Sequence, residues 1–226
     1  MRFITLFAAS LALGSAAAAP AETSLEVFVE SAGEMVLNPA MYTTENFTAS
    51  DGETYEITYL SELPDLETRS TRSAFQRRQQ SSDDPQNRWR PGTRFRDSCP
   101  FGSINDDTGP NAPTTGRCAA VRDWCASNPG NWAVFPQDGS PTRFYPLISS
   151  GRAGTTACHF AVRADGALTQ IGSDDVRDWA RESLNRYRRT FNGVERVRSY
   201  GSTATCIGVR PRTLWWKLDT LQGIGQ

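Results

Sequence analysis

The distribution of cysteines constrains this chain more than any other feature of its sequence. All five lie in the second half, at Cys99, Cys118, Cys125, Cys158 and Cys206. In an exported protein such a set indicates a disulfide framework, so the cross-linked unit is confined to the C-terminal portion. We therefore predict one disulfide-bonded domain over residues 94–218, followed by a tail over residues 219–226.

The first residues indicate export. Arg2 supplies a positive charge, an apolar run of about eleven residues follows over Phe3–Leu13, and small residues continue to Ala19. The apolar run is shorter than the ~20 residues that cross a hydrocarbon core. Residues 1–18 are therefore predicted to be a cleavable signal peptide, and we expect a secreted, extracellular product without a transmembrane segment.

Charge divides the rest of the chain into two parts. Eleven acidic residues and no Lys or Arg lie between Ala21 and Glu67, whereas 23 basic residues face 14 acidic ones from Thr68 onward. We assign residues 19–67 to an acidic leader or pro-segment. The overall net charge of -1 therefore describes neither part.

An Arg-, Gln- and Ser-rich stretch over residues 68–93 follows the leader and has too few apolar residues to form a core. It contains the dibasic pair Arg77-Arg78, a type of site that processing proteases cut. Cleavage after Arg78 would release the leader. Before cleavage, the acidic leader would shield a basic surface of the domain. The alternative is an ordinary basic linker, with the leader retained and folded against the domain.

The hydrophobic pattern predicts two helices and about five strands. One helix is expected over Gly116–Ser127 after Thr115. A second is expected over Asp174–Arg189, capped by Ser173 and with apolar residues at helical spacing. The strand-like runs are Trp132–Phe135, Thr155–Val162, Val194–Ser199, Thr203–Val209 and Thr213–Leu218. We expect an α+β domain in which two helices pack on one face of a mostly antiparallel sheet of about five strands.

Two short features also mark the acidic leader. The run from Tyr55 to Tyr59 alternates like a strand. Asn46 begins an N-glycosylation sequon, Asn46-Phe47-Thr48, which in a secreted protein predicts an exposed position and a glycoprotein.

Spacing limits how the cysteines can pair. Cys118 and Cys125 stand seven positions apart on one predicted helix, a rise of ~10 Å, and the Cα atoms of a disulfide lie within about 7 Å. We therefore favour a Cys118–Cys158 bridge between helix and sheet, and a Cys99–Cys206 bridge between the start and the end of the domain. Cys125 is left as a buried thiol or as one half of an intermolecular bridge.

The residues favour no enzyme class. His159 is the only histidine, no nucleophile-elbow sequence accompanies it, and the scattered cysteines do not have the spacing of a metal motif. The acid pairs Asp106-Asp107 and Asp174-Asp175 are explained by a turn and by the charge at a helix start. We expect no catalytic residue, metal or cofactor; a small secreted hydrolase is the alternative.

Two sets of side chains are candidates for binding. Arg177, Arg181 and Arg188 would form a face for anionic lipid heads or acidic glycans. A solvated helix face, partly neutralised by neighbouring carboxylates, is the competing interpretation. The candidate exposed aromatics are Trp132, Trp215 and Trp216, which keep a carbohydrate-binding module as another alternative. No nucleic-acid partner is expected.

An ordered series of motifs resembles a known family. The series consists of Asp97–Ser103 with the first cysteine, Thr156–Val162 with a Cys-x-Phe strand, Ile171–Val176 with a Gly-x-x-Asp helix start, and Gly201–Cys206 followed by Trp215-Trp216. It resembles the fungal extracellular effectors related to the tomato leaf-mould necrosis-inducing protein, known as necrosis-inducing factors.

The resemblance carries expectations about function. It implies a secreted virulence effector with four core cysteines in two bridges, and it brings no catalytic residues. Cys125 departs from the four-cysteine pattern. We therefore expect a non-catalytic, toxin-like effector that acts on a host or competitor cell surface, with a target that the sequence does not name.

Overall fold

The computed structural model describes seven stretches of the chain: residues 41–61, 89–134, 144–151, 157–164, 168–204, 206–208 and 213–224. The predicted signal peptide and the dibasic pair Arg77-Arg78 lie outside these residues.

The described residues form twelve strands and three helices. The helices are α1 (Thr115–Ser127), α2 (Ser173–Tyr187) and α3 (Leu221–Ile224). The strands, in chain order, are β1 (Tyr42–Thr48), β2 (Thr54–Leu60), β3 (Trp89–Pro91), β4 (Ser103–Asp106), β5 (Gly130–Val134), β6 (Tyr145–Ser150), β7 (Cys158–Ala164), β8 (Thr169–Gly172), β9 (Arg189–Phe191), β10 (Val194–Arg196), β11 (Ser199–Thr203) and β12 (Leu214–Asp219).

Seven strands form the principal sheet, in the order β1-β2-β6-β7-β12-β11-β4, and every neighbouring pair in it is antiparallel. A three-stranded sheet has the order β3-β5-β8, and β9 pairs with β10 in a hairpin. Because neighbouring strands show opposite faces at alternate residues, the register of the principal sheet fixes which side chains share a surface.

The α+β class and its mostly antiparallel sheets are confirmed, but the prediction of about five strands is wrong. Two of the seven strands in the principal sheet, β1 and β2, come from the predicted acidic leader. Another, β4, is too short to give an alternating pattern that stands out from a loop. The run predicted from Val194 to Ser199 is also divided, since β10 ends at Arg196 and β11 begins at Ser199.

A stack of three aromatic rings fills the core under the centre of the principal sheet. Trp179 of α2 lies parallel to Trp216 of β12 with ring centroids 5.4 Å apart, and Phe160 of β7 lies 5.9 Å from Trp179. All three side chains are buried. Gly201 pairs with Trp216 across the strands, and a Cβ at Gly201 would stand 2.7 Å from the indole. The glycine therefore makes room for the ring.

A second aromatic cluster joins the small sheet to α1 and β2. Trp89, Trp124 and Trp132 lie in mutual contact, with centroids 4.3–6.2 Å apart, and Tyr59 lies 4.7 Å from Trp124. Large aromatic rings contribute most to the burial of a small core. This cluster therefore ties three separate parts of the chain together.

The two disulfides are those that the sequence favours. Cys118 of α1 is bonded to Cys158 at the start of β7, and Cys99 is bonded to Cys206. Cys125 is a free, buried thiol, and burial raises its pKa far above the ordinary value for cysteine. A thiol in that state is a poor nucleophile, so Cys125 behaves as a small apolar core residue.

Candidate functional site

The outer face of the principal sheet, opposite the aromatic stack, presents a cluster of aromatic and cationic side chains. Trp215 of β12 is paired with Arg163 of β7, and Lys217 of β12 is paired with Tyr200 of β11. Directly paired residues point to the same side of a sheet. These four residues, together with Phe144, are called the outer-face cluster below.

Contacts between rings and cations organise this cluster. The guanidinium carbon of Arg163 lies 4.5 Å from the ring centroid of Trp215 and 5.3 Å from that of Phe144. The Lys217 ammonium lies 4.8 Å from the Phe144 ring and donates a hydrogen bond to the Gly223 carbonyl at 3.0 Å. Cation–π contacts of this kind hold a long side chain flat against a ring.

The cluster keeps both charge and apolar surface available to solvent. Tyr200 is 45% exposed and Trp215 is half-buried. Among the described residues, no carboxylate forms a salt bridge with Arg163 or Lys217. Cations without a salt-bridged carboxylate, next to rings that reach solvent, are suited to a partner that combines negative charge with an apolar or planar surface.

His159, the only histidine, lies on the same outer face but is buried. The Ser149 hydroxyl is hydrogen-bonded to His159 Nδ1 at 2.6 Å, and Asp219 stands opposite His159 in the strand register. His159 Nε2 has no hydrogen-bond partner among the described residues. Burial lowers the pKa of His159 to about 4, so the ring is neutral over the ordinary pH range.

This group differs from the arrangement that a hydrolytic triad uses. There the serine bonds to Nε2 and a carboxylate accepts from Nδ1, whereas here the serine occupies Nδ1. Asp219 instead forms a salt bridge with Arg198, with 2.7 Å between the carboxylate and Nε. Burial raises the pKa of Asp219, against the lowering effect of Arg198. With His159 2% and Ser149 3% exposed, the group packs inside the protein.

Two of the three predicted exposed aromatics are wrong. Trp132 and Trp216 are fully buried, and only Trp215 reaches solvent. Trp215 and Trp216 alternate across strand β12, so one ring enters the core and the other leaves it. Trp132 lies in the central strand of the three-stranded sheet, where Trp89 and Trp124 cover it.

The predicted anion-binding face on α2 is largely neutralised within the helix. Arg177 pairs with Asp174 at 2.6 Å and with Asp178 at 2.8 Å. Arg181 also reaches Asp178, at 3.2 Å. Arg188 follows the last turn of α2, is exposed, and forms no salt bridge with the described residues. The solvated-face interpretation therefore describes this surface better.

The acid pair at the start of α2, Asp174 and Asp175, forms contacts that stabilise the fold. The carboxylate of Asp175 accepts hydrogen bonds from the backbone N–H groups of Gly172, Ser98 and Cys99, at 2.7, 3.0 and 3.2 Å. Asp174 forms a salt bridge with Arg96 at 2.6 Å. Both carboxylates thus hold the loop around the first cysteine against the helix start.

The acid pair at the end of β4 is also explained by local structure. Asp106 accepts a hydrogen bond from the backbone N–H of Thr108 at 2.9 Å, which closes a turn. It also pairs with Arg189. The neighbouring Asp107 is exposed and lies 3.8 Å from Arg198.

Asn46, the predicted glycosylation site, is exposed on the edge strand β1. The described residues contain no group of three or more His, Cys, Asp or Glu side chains placed to hold a metal ion. No helix among them has the length and apolar character that crossing a membrane requires.

Sequence reasoning missed four of the five members of the outer-face cluster: Phe144, Arg163, Tyr200 and Lys217. A usable signal exists in β12, where Trp215, Lys217 and Asp219 alternate with three buried residues. It identifies the outward positions of one strand. The partners on β7 and β11 follow only from the strand order, which the sequence does not supply.

Comparison with known proteins gives a family for the cross-linked part of the chain. Residues 98–206 match the sequence model of a family described as pathogen effector, putative necrosis-inducing factor. No curated protein matches the chain. The match begins one residue before Cys99 and ends at Cys206, so it contains both disulfides. Similarity to an effector family and two disulfides are consistent with an extracellular protein. Residues 98–206, just under half of the chain, are therefore similar to the pathogen-effector family of necrosis-inducing factors, as the motif series in the sequence indicates.

Proposed function

We propose that this protein is a secreted effector that acts by binding a host or competitor cell surface, without turning over a substrate. The family of residues 98–206 supports the effector role. The outer-face cluster is the observation that carries the binding role, since it places Arg163 and Lys217, neither in a salt bridge with a described residue, beside the rings of Trp215 and Tyr200. We place the binding surface there.

The anionic component of the target is an acidic glycan or an anionic lipid head. The guanidinium carbon of Arg163 lies 4.5 and 5.3 Å from two ring centroids, and a guanidinium group bonds an anion in a bidentate manner. Lys217 adds a second charge on the neighbouring position of the same sheet face. Such binding weakens as salt rises, because the charges are near the surface.

A binding experiment with a matched control tests this proposal. Labelled full-length protein is added to plant cells and to fungal cells, and the label retained at the surface is measured over a range of salt concentrations. Trp215→Ala and Arg163→Ala should each lower retention about tenfold. Phe101→Ala removes an aromatic ring that is 56% exposed elsewhere on the surface and should leave retention unchanged. Equal retention by all three variants would place the binding surface elsewhere.

Carbohydrate binding is a second candidate function, favoured by the hydroxyls that border Trp215. Ser202 is paired with Trp215, and Ser103 is paired with Ser202, so a row of hydroxyls continues from the ring along the outer face. Polar groups next to one flat ring are suited to a neutral sugar. A pull-down on insoluble chitin and glucan separates the two candidates: a neutral glycan retains the protein at high salt, whereas an anionic target does not.

A further inference from the structure

The hairpin of β1 and β2 lies outside the matched family domain and yet completes its principal sheet. Strand β2 pairs with β6 through Ile57 opposite Ser150 and Tyr59 opposite Ile148. Beyond the strand, Gly151 donates its backbone N–H to the Glu56 carbonyl at 2.8 Å. Neither disulfide reaches the hairpin. Its attachment to the domain therefore rests on non-covalent contacts and on the intervening chain.

Apolar contacts fasten the hairpin to α1 and β6. Ile57 and Leu60 are fully buried, and Tyr59 packs against the Trp124 ring of α1 at 4.7 Å. The Tyr42 hydroxyl donates to the Pro146 carbonyl of β6 at 3.0 Å. Burial of these apolar side chains is favourable, so the contacts hold the hairpin at a specific position on the domain.

Polar contacts add to the apolar ones, and one of them uses an acidic side chain of the hairpin. Residues 41–61 carry four acidic side chains and no Lys or Arg. Glu45 accepts a hydrogen bond from the Trp124 indole N–H. At the hairpin turn, the Ser50 hydroxyl and backbone N–H donate to the Asp123 carboxylate of α1 at 2.6 and 3.0 Å, while Arg122 pairs with that same carboxylate at 2.7 Å.

We infer that the edge of β6 and the adjoining face of α1 form a docking site for a β-hairpin, and that residues 42–60 occupy it from within the same chain. The hairpin remains bound when the chain is cut between residues 61 and 89. A molecule processed after Arg78 is then a complex of two chains rather than a domain freed from a pro-segment. Without the hairpin, β6 becomes an edge strand with open backbone groups, so a competing strand gains access only when the hairpin leaves.

The test cuts the intact folded protein. A recognition sequence for a site-specific protease is inserted between Arg78 and Gln79, and the cut protein is examined by size exclusion and native mass spectrometry. We expect both fragments in one 1:1 complex at micromolar concentration, separating only in denaturant. Separate elution of a folded C-terminal fragment under native conditions would overturn the inference.

Two variants locate the contact. Ile57→Asp buries an unpaired charge at the docking site and should speed dissociation of the cut complex about tenfold or more. Asn46→Asp adds the same charge to the exposed side of the same hairpin and should leave dissociation unchanged. Equal rates for the two variants would contradict the assigned site. Amide exchange at residues 148–150 of the cut wild-type complex gives an independent reading: protection supports docking, and rapid exchange opposes it.

Discussion

At the scale of single residues, the structure explains why the motif from Gly172 to Asp175 has its spacing. A Cβ at Gly172 would stand 1.8 Å from the Arg96 carbonyl oxygen, so this position accepts only glycine. The Asp175 carboxylate accepts a hydrogen bond from the backbone N–H of Gly172, three residues earlier, and another from the backbone N–H of Cys99 in a distant loop. Burial raises the pKa of Asp175, although the backbone donors lower it. Sequence reasoning assigned Asp175 to the helix dipole because its partners at Ser98 and Cys99 are 76–77 residues away.

Asp175→Ala should therefore destabilise the protein far more than the loss of a surface acid. It leaves three backbone N–H groups without their acceptor, at a cost of about 2–4 kcal/mol. Asp178→Ala on the same helix removes only half-exposed salt bridges and should cost less than about 1 kcal/mol. The free energy of unfolding from denaturant titration measures both. Similar values for the two variants would refute the anchoring role of Asp175.

His159 predicts a specific acid sensitivity. Its pKa is about 4 in the folded state, against an ordinary value of 6.5, so the unfolded state binds the proton first as pH falls. Stability contributed by the neutral ring is present above pH 6.5 and is lost towards pH 4. Asp175 and Asp219, whose pKa values are raised, act in the opposite direction.

Comparison with His159→Gln isolates this effect, because the two acids remain in both proteins. Between pH 7 and pH 4 the wild type should lose about 2–3 kcal/mol more stability than the variant. The free energy of unfolding is measured at several pH values in that range. Parallel pH profiles would show that His159 is not held neutral in the folded protein.

At the scale of elements, the parts predicted well are those with a strong period. The predicted helix over Asp174–Arg189 corresponds to α2, and the alternating run Tyr55–Tyr59 lies within β2. The hairpin of β9 and β10, which turns at Asn192-Gly193, is not among the elements predicted from the sequence. Both residues have positive φ, 50° and 78°, the conformation of the tight turn that Asn-Gly favours between strands.

Trp179 tests how much α2 contributes to the stability of the core. The helical spacing of apolar residues is sufficient to place Trp179 on the buried face of α2. Trp179→Ala removes one ring of the stack with Phe160 and Trp216 and should cost about 3–5 kcal/mol. Arg181→Ala on the exposed side of the same helix should cost less than about 1 kcal/mol. Thermal unfolding of the two variants measures the difference. A small effect at Trp179 would mean that the sheet is held without α2.

At the scale of the whole molecule, the disulfide framework was accessible from the sequence and the full extent of the sheet was not. Helical spacing excludes a Cys118–Cys125 bridge, which reduces the possible pairings. In contrast, the pairing of β2 with β6 joins residues about 90 positions apart, and the acidic composition of the leader separates it from the basic domain. The charge asymmetry therefore predicts a boundary between the leader and the basic domain. In the fold, the pairing of β2 with β6 joins the two parts in one sheet.

The outer-face cluster also belongs to this scale. Its members come from β7, β11, β12 and the residue before β6, and the strand order alone brings them together. The interior group of Ser149 on β6 and His159 on β7 is a few residues away on the same sheet face, yet it is buried. We propose that the outer-face cluster binds the target and that Ser149 and His159 contribute only to the stability of the fold.

The most direct measurement is the dose of purified full-length protein that kills or arrests target cells. It compares the wild type with the double variant Arg163→Ala/Trp215→Ala and with His159→Gln, each shown to be folded by circular dichroism. The account predicts that the double variant needs at least about a tenfold higher dose, while His159→Gln keeps the potency of the wild type. Full potency of the double variant together with an inactive His159→Gln would contradict the account and favour a hydrolase.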